Sequence, residues 1–351
     1  MASLKLSQIQ HPGIVMSKFA SFAIPLISFA LPAMAQDALP LWEDGARKSA
    51  IISFVETVTN ESSADFVPEA ERIAVFDNDG TLWSEQPYYI QLAFALDQIK
   101  QNAPDHPEWQ DTEPFSAVLD GDMERLAAGG SEGLMALIAA THDGFTPEEF
   151  RTEVSQWLHE AKHPDYDEPY AALTFTPMLE LLDYLRDNGF KTFIVSGGGE
   201  EFIRAVSEEL YGIPPEQVVG SELKLVLEER DGKPVVIRRG EVTFINDHGG
   251  KPIGIASHIG RKPIAVFGNS DGDFEMLEWA IDGTGPGLGM IVHHDDAERA
   301  VAYDRESMAG SLDRGLDEAD ARGWHLISMK DDWRQVYSFQ PIAEPSEGAA
   351  N

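Results

Sequence analysis

The segment Ile73-Ala74-Val75-Phe76-Asp77-Asn78-Asp79-Gly80-Thr81 is a short apolar run that ends in two acids, a glycine and a threonine. Such a run reads as a buried strand of a parallel sheet. The acids then stand at the carboxyl end of the strand, where open α/β sheets place their ligands. Two carboxylates two residues apart repel each other unless a cation or a catalytic task compensates. In Phe193-Ile194-Val195-Ser196-Gly197-Gly198-Gly199 a second strand ends in a hydroxyl followed by three glycines. Backbone N–H groups at a helix start bind anions, and glycine lets an anion approach closely. Phe267-Gly268-Asn269-Ser270-Asp271-Gly272-Asp273 is a further acidic strand end. A dianion held among acids needs a fixed cation, and Lys251 and Lys262 are the candidates. Lys262 immediately precedes a strand and so lies at the amino edge of the sheet. Lys251 opens the helix before that strand and can reach the carboxyl edge.

These groups need a scaffold, and the pattern around them alternates. Trp42 to Val58 carries helix-spaced apolar residues. Thr176-Pro177 opens a helix with Met178, Leu181, Leu182 and Leu185 on one face, closed by Asn188-Gly189. Lys191 to Val195 reads as a strand, Glu200 to Leu210 as a helix, Pro252 to Ile259 as a short helix and Pro263 to Phe267 as a strand. Strand–helix alternation predicts parallel pairing with right-handed crossovers. Two stretches break it. Residues 84–173 read as several helices, one opened by the capping box Thr146-Pro147-Glu148-Glu149, and are expected to cover the site as a lid. Glu222 to Phe244 reads as a hairpin around Asp231-Gly232. The expected organisation is a core of residues 36–83 and 174–340, a helical cap of 84–173 and a polar, flexible tail of 341–351.

In this order the segments resemble the haloacid dehalogenase (HAD) superfamily of phosphohydrolases. Asp77-x-Asp79-Gly80-Thr81 is similar to its motif I, Ser196-Gly197 to motif II, Lys251 to the motif III lysine and Gly268 to Asp273 to motif IV, so the likeness covers Ile73 to about Leu277. The positions of the helical stretch and the hairpin resemble the phosphoserine-phosphatase-like branch. The resemblance implies an α/β fold: a Rossmann-like parallel sheet core, a helical cap inserted after the first motif strand and a small β-hairpin insertion. It implies Mg²⁺ as cofactor, held by Asp77, the backbone carbonyl of Asp79 and Asn269, with Asp273 in the same metal set to orient metal-bound water and the lysine. Asp77 would attack phosphorus, Asp79 would serve as general acid and then base, and Ser196, Gly197 and Lys251 would hold the phosphoryl oxygens.

Asn269 stands where the family commonly has an aspartate. An amide oxygen still ligates Mg²⁺, but without charge. Asn269→Asp is then expected to tighten metal binding, and Asp271 is an extra acid that could restore the charge. Phosphoserine phosphatases receive the substrate ammonium on an acid nine residues past the nucleophile. Here that place is Gln86, and Glu85, one residue earlier, is the candidate substrate-binding acid. The implied activity is hydrolysis of small organic phosphates through an aspartyl phosphate, with phosphoserine or a broad range of phosphomonoesters as substrate. The alternatives are another hydrolase chemistry or a non-catalytic binding role. The presence of Asp79 argues against dehalogenation, and Asp77 argues against binding alone.

Lys5 and Lys18 precede the mostly apolar Phe19 to Leu31, and Ala33-Met34-Ala35 follows. Residues 1–35 therefore read as a secretory signal peptide, too short to span a bilayer as a stable helix. The expected product is secreted or periplasmic, with no membrane partner after cleavage. No cysteine is present, so stability must come from a packed core. Lys+Arg 26 against Asp+Glu 60 gives a net charge of −34, which repels nucleic acid and anionic lipid. The expected partner is a small phosphorylated molecule, captured by positive charge local to the site. His293-His294-Asp295-Asp296 reads as a strand end and turn, because adjacent histidines on a strand face opposite ways. The pattern leaves the oligomeric state open.

Overall fold

The computed structural model describes residues 37–345. The signal-peptide segment and the last residues of the tail lie outside the described residues. The described residues from Ala38 to Pro345 belong to one compact unit. Its seven-stranded sheet runs in the order β4-β3-β2-β1-β5-β6-β7. The strands are β1 (Ile73–Phe76), β2 (Lys191–Gly199), β3 (Val218–Arg230), β4 (Lys233–Phe244), β5 (Ala265–Gly268), β6 (Leu288–His293) and β7 (His325–Ser328). All neighbouring pairs are parallel except β3 with β4.

β1 pairs with β2 through Val75 opposite Phe193 and with β5 through Val75 opposite Val266. The chain leaves β1 toward β2 and β3 on one side and returns through β5, β6 and β7 on the other. That reversal is the topological switch point, and a crevice opens there at the carboxyl ends of the strands. Alternate side chains of β1 feed two cores. Ala74 and Phe76 pack with Leu181, Leu182 and Phe267, whereas Ile73 and Val75 pack with Phe274, Leu277 and Trp324. Both faces of β1 are therefore dry, and the strand reads as a continuous apolar run for that reason. Phe76 stacks on Phe267 with centroids 4.4 Å apart. Truncating either ring to alanine is expected to cost about 3–5 kcal/mol.

Three local expectations change. β2 runs on to Gly199, with irregular pairing to β3 between Val195 and Gly199. The single helix expected from Glu200 is two short ones, Glu200–Arg204 and Ser207–Tyr211, broken at Val206 with φ −134°. The hairpin insertion is present, and its first strand begins earlier than expected, at Val218. β3 starts parallel to β2 at Val218 and continues outward as the first hairpin strand, so hairpin and core sheet are one surface.

The stretch after β1 forms helices Ile90–Asn102, Phe115–Asp120, Met123–Ala128, Gly130–His142 and Pro147–Glu160. The capping box is present: Thr146 Oγ1 accepts from Glu149 N–H at 3.1 Å, and Glu149 Oε2 accepts from Thr146 N–H at 2.8 Å. These helices enclose a small core of their own around Leu96, Ile99, Trp109 and Val118. Phe94, Phe150 and Trp157 instead join the main core beside Phe202. The hairpin reaches the same helices, where Arg238 N–H donates to Phe145 O at 2.8 Å and Gly144 N–H to Arg238 O at 2.9 Å. In the stretch expected to be a tail, Ala343 is tied down, its N–H donating to Arg334 O and its carbonyl accepting from the Arg334 guanidinium. Among the described residues no helix is long and apolar enough to cross a membrane.

Candidate active site

The turn after β1 is built on one carbonyl. Asn78 O accepts N–H bonds from Thr81, Leu82 and Trp83 at 3.2, 2.8 and 3.3 Å. Gly80 sits at φ +75° and donates to Trp83 O at 2.8 Å, a conformation that glycine adopts without steric penalty. The turn brings Trp83 under Asp79, and the indole N–H donates to Asp79 Oδ1 at 2.9 Å. A buried indole must place its N–H on a partner, and here the partner is a candidate catalytic acid. From the end of β6, His294 Nε2 donates to Gly80 O at 2.7 Å and stacks on Tyr303 at 4.3 Å. Burial pushes the His294 pKa down to about 4, so the ring is neutral with its proton on Nε2. His294 is thus a strand-end clamp on the turn.

Lys251 links the two acidic strand ends. Its Nζ lies 2.8 Å from Asp77 Oδ1 and 2.5 Å from Asp273 Oδ1, with all three side chains buried. Burial opposes its charge, but Asp273 and Asp77 outweigh it and hold the ammonium protonated. Asp77 is pushed well above the usual carboxylate range by burial first and by Asp273 next, against the pull of Lys251. Asp79 is also raised, mainly by burial, while Trp83 and Lys251 work the other way. Asp273 Oδ2 accepts from the N–H groups of Asn269 and Ser270 at 2.9 and 3.1 Å. Asp273 therefore orients Lys251 and the loop, with both its oxygens engaged.

On the β2 side, Ser196 is buried and its Oγ accepts from Gly198 N–H at 3.0 Å. A Cβ at Gly198 would stand 3.4 Å from both Asp79 Oδ2 and Ser196 Oγ, so this glycine lies between the first and second motifs. Gly197 O accepts from Ser221 Oγ at 2.7 Å, and Asn246 Nδ2 donates to Ser196 O at 3.0 Å. Gly199 N–H donates to Gln91 Oε1 at 2.8 Å, and Gln91 Nε2 meets His142 Nε2 at 3.1 Å. The structure thus brings Asp77, Asp79, Ser196, Gly197, Lys251, Asn269 and Asp273 to one edge of the sheet.

Glu85 and Asp271 are placed otherwise than expected. Glu85 is buried, and its Oε1 accepts from Asn269 Nδ2 and from Tyr303 Oη, each at 2.7 Å. Its pKa is pushed up to about 8, chiefly by burial. Glu85 is thus coupled to motif IV, which replaces the expectation that it greets the leaving group. Gln86 turns to the 303–310 loop, with Nε2 donating to Ser307 Oγ and Ala309 O at 3.0 Å. Asp271 accepts N–H bonds from Asp313, Arg314 and Gly315 and so caps the start of helix Arg314–Arg322. It does not restore charge beside Asn269. The sequence reading missed Trp83, Gln91, His294 and Tyr303; only Trp83 carried a local signal, an aromatic donor four residues after an acid.

The residues fit a small hard cation. Asp77, Asp79, Glu85 and Asp273 are all buried or enclosed, and Lys251 is the cation that touches Asp77 and Asp273. Asp77 and Asp79 stay raised despite that lysine, and added positive charge would lower them. The donors are carboxylate, amide and carbonyl oxygens, the set that suits Mg²⁺. Among the described residues no group of three or more His, Cys, Asp or Glu side chains is arranged to hold a metal. Mg²⁺ needs no such cage, because it commonly binds through one or two carboxylates and keeps waters and substrate oxygens.

The family model for haloacid dehalogenase-like hydrolases matches residues 74–278. A search of curated proteins gives no match. Among solved structures, a conserved protein of unknown function from Anaerococcus prevotii is similar at 18% identity and TM-score 0.50, covering 75% of this chain and 89% of that one. A protein of unknown function from Bordetella pertussis is similar at 16% identity and TM-score 0.46, covering 73% and 98%. A phosphoserine phosphohydrolase-like protein from Francisella tularensis is similar at 18% identity and TM-score 0.38, covering 71% and 98%. At 18% identity the likeness to the Anaerococcus prevotii protein speaks for the fold alone.

Proposed function

The chain belongs to the haloacid dehalogenase-like hydrolases, and from that premise we propose that it is an exported, Mg²⁺-dependent phosphomonoesterase acting on small organic phosphates through an aspartyl phosphate. The observation that carries the proposal is Lys251 between Asp77 and Asp273, with Asp79 fixed by Trp83 close by. Lys251, Ser196 Oγ and the Gly197 N–H hold the phosphoryl oxygens. An Asp77 oxygen attacks phosphorus in line, and the bond to the leaving oxygen breaks. Asp79, whose pKa is raised by burial, gives its proton to that oxygen. Water then attacks the phosphorus of the acyl phosphate, passes a proton to Asp79 and regenerates the Asp77 carboxylate. Bound beside Asp77 and Asn269, Mg²⁺ would polarise the phosphoryl group and offset the acid excess.

The commitment of Glu85 Oε1 to Asn269 and Tyr303 supports a substrate range that is not centred on an amino group. Export is supported by the lysines, apolar run and small residues that precede Gln36. The test is a panel of phosphomonoesters with the chain starting at Gln36, in chelator and after Mg²⁺ is restored. Turnover is expected only with Mg²⁺, and Asp77→Asn is expected to abolish it while the fold remains. Full activity in demetallated enzyme, or turnover by Asp77→Asn, would overturn the reading.

A further inference from the structure

Asn269 is an amide at a position where a charge would help hold a divalent cation, and its amide is not free to turn. Nδ2 donates to Glu85 Oε1 at 2.7 Å, and Oδ1 accepts from Thr81 Oγ1 at 3.1 Å. The two bonds settle which end of the amide is oxygen and point it away from Glu85. The space for this pair is built into the backbone. A Cβ on Gly80 would stand 2.1 Å from Asn269 Nδ2 and 2.4 Å from Glu85 Oε1. A Cβ on Gly310 would stand 1.7 Å from Glu85 Oε1. Both glycines have positive φ, +75° and +69°, so each is suited to glycine by conformation as well as by space. Tyr303 adds a third donor to the same arrangement through Glu85 Oε1.

We propose that Glu85 is a positioning residue of the cation site: through its bond to Nδ2 it orients Asn269 so that the amide presents its oxygen to the cation. Glu85 and Asn269 then act as one hydrogen-bonded unit. The inference rests on the Mg²⁺-dependent reading of the site. It also alters the expectation for Asn269→Asp. That change removes the donor and sets two carboxylates against each other at hydrogen-bond distance, so by itself it is not expected to tighten the metal.

The unit can be inverted. In the Glu85→Gln, Asn269→Asp double variant the glutamine amide donates and the aspartate accepts, so the hydrogen bond is kept with its direction reversed. Mg²⁺ binding by calorimetry on the chain starting at Gln36, without substrate, is the readout. Glu85→Gln alone is expected to weaken Mg²⁺ binding about tenfold or more, since partners one shell out from a metal typically contribute 10- to 100-fold in affinity. The double variant is expected to recover the wild-type affinity, which a merely structural glutamate would not produce. Thermal melting in chelator checks that each variant is folded, and Tyr303→Phe, which leaves both members of the pair in place, is expected to weaken binding less than Glu85→Gln. Equal binding by wild type and Glu85→Gln, or a double variant no better than Glu85→Gln, overturns the proposal while the metal-dependent reading stands. A wild-type chain that binds no Mg²⁺ overturns both.

Discussion

Acid should loosen this protein at His142, and the geometry says by how much. His142 ends helix Gly130–His142 and is fully buried. Gln91 presents its Nε2 hydrogens to His142 Nε2 at 3.1 Å, so that ring nitrogen is an acceptor and carries no proton. Thr141 Oγ1, 2.7 Å from Nδ1, already donates to Leu137 O and is left to accept the Nδ1 proton. Burial, and after it the Arg238 guanidinium, push the His142 pKa down to about 3. The rings of Phe150 and Phe94 pack around it and offer no counter-charge, and only the Ile138 backbone works the other way. An unfolded chain takes the proton near the ordinary histidine pKa of about 6.5, and the folded chain refuses it until about 3. The folded pKa is the lower one, so the stability it represents is complete above about 6.5 and is lost as pH falls through that window. The linkage comes to about 2 kcal/mol by pH 5 and about 4 kcal/mol by pH 3. His142→Gln keeps a neutral polar group and removes the titration. Urea unfolding of both proteins in chelator, followed by tryptophan fluorescence, gives the assay. The stability advantage of wild type over His142→Gln is expected to shrink by about 2 kcal/mol between about pH 7.5 and pH 5. An advantage that stays constant across that range would refute the assignment of a neutral, accepting His142. The consequence reaches the site, because Gln91 also accepts from Gly199 N–H and a charged ring opposes the orientation that allows it.

Asp79→Asn is expected to lower turnover by about 10²- to 10⁴-fold with alkyl phosphates and far less with nitrophenyl phosphate, since proton donation matters least for acidic leaving groups. Trp83→Phe removes one bond to that carboxylate, about 1.5–3 kcal/mol for a hydrogen bond to a charged group, and its losses should follow the same leaving-group order. Equal losses across leaving groups would take Asp79 out of the general-acid role and Trp83 out of its support. With a net charge of −34, the chain repels a dianionic substrate at long range. Raising the ionic strength from about 20 to 150 mM shortens the screening length to about 8 Å, and kcat/KM is expected to rise severalfold; a fall would show that the field at the site entrance is positive.

What the sequence made legible is local. β1 could be read because four consecutive apolar residues face two dry layers. The helix from Pro147 could be read because its cap lies within four residues. Asp77, Asp79, Ser196 and Asn269 could be placed together because each follows a strand, and parallel strands send their carboxyl ends to one edge. What stayed hidden is pairing across long separations. Glu85 lies 184 residues from Asn269 and 218 from Tyr303, and nothing near residue 85 marks it as the neighbour of motif IV. Its distance from Asp77 suggested a substrate contact, whereas in the structure its Oε1 accepts from Asn269 and Tyr303. The hairpin was legible, but its continuity with the core sheet was not, for a related reason. Alternation in Leu223–Leu227 and Val235–Ile237 reveals two strands and a turn, but whether the first strand also extends a sheet depends on its partner β2, which lies more than 20 residues upstream. Gly80 joins the two cases. As a turn residue it was plain from Asp79-Gly80-Thr81, because a positive φ is a property of one residue. Its second duty, leaving room for the Glu85–Asn269 pair, is a property of three residues that meet only once the sheet has closed around the switch point.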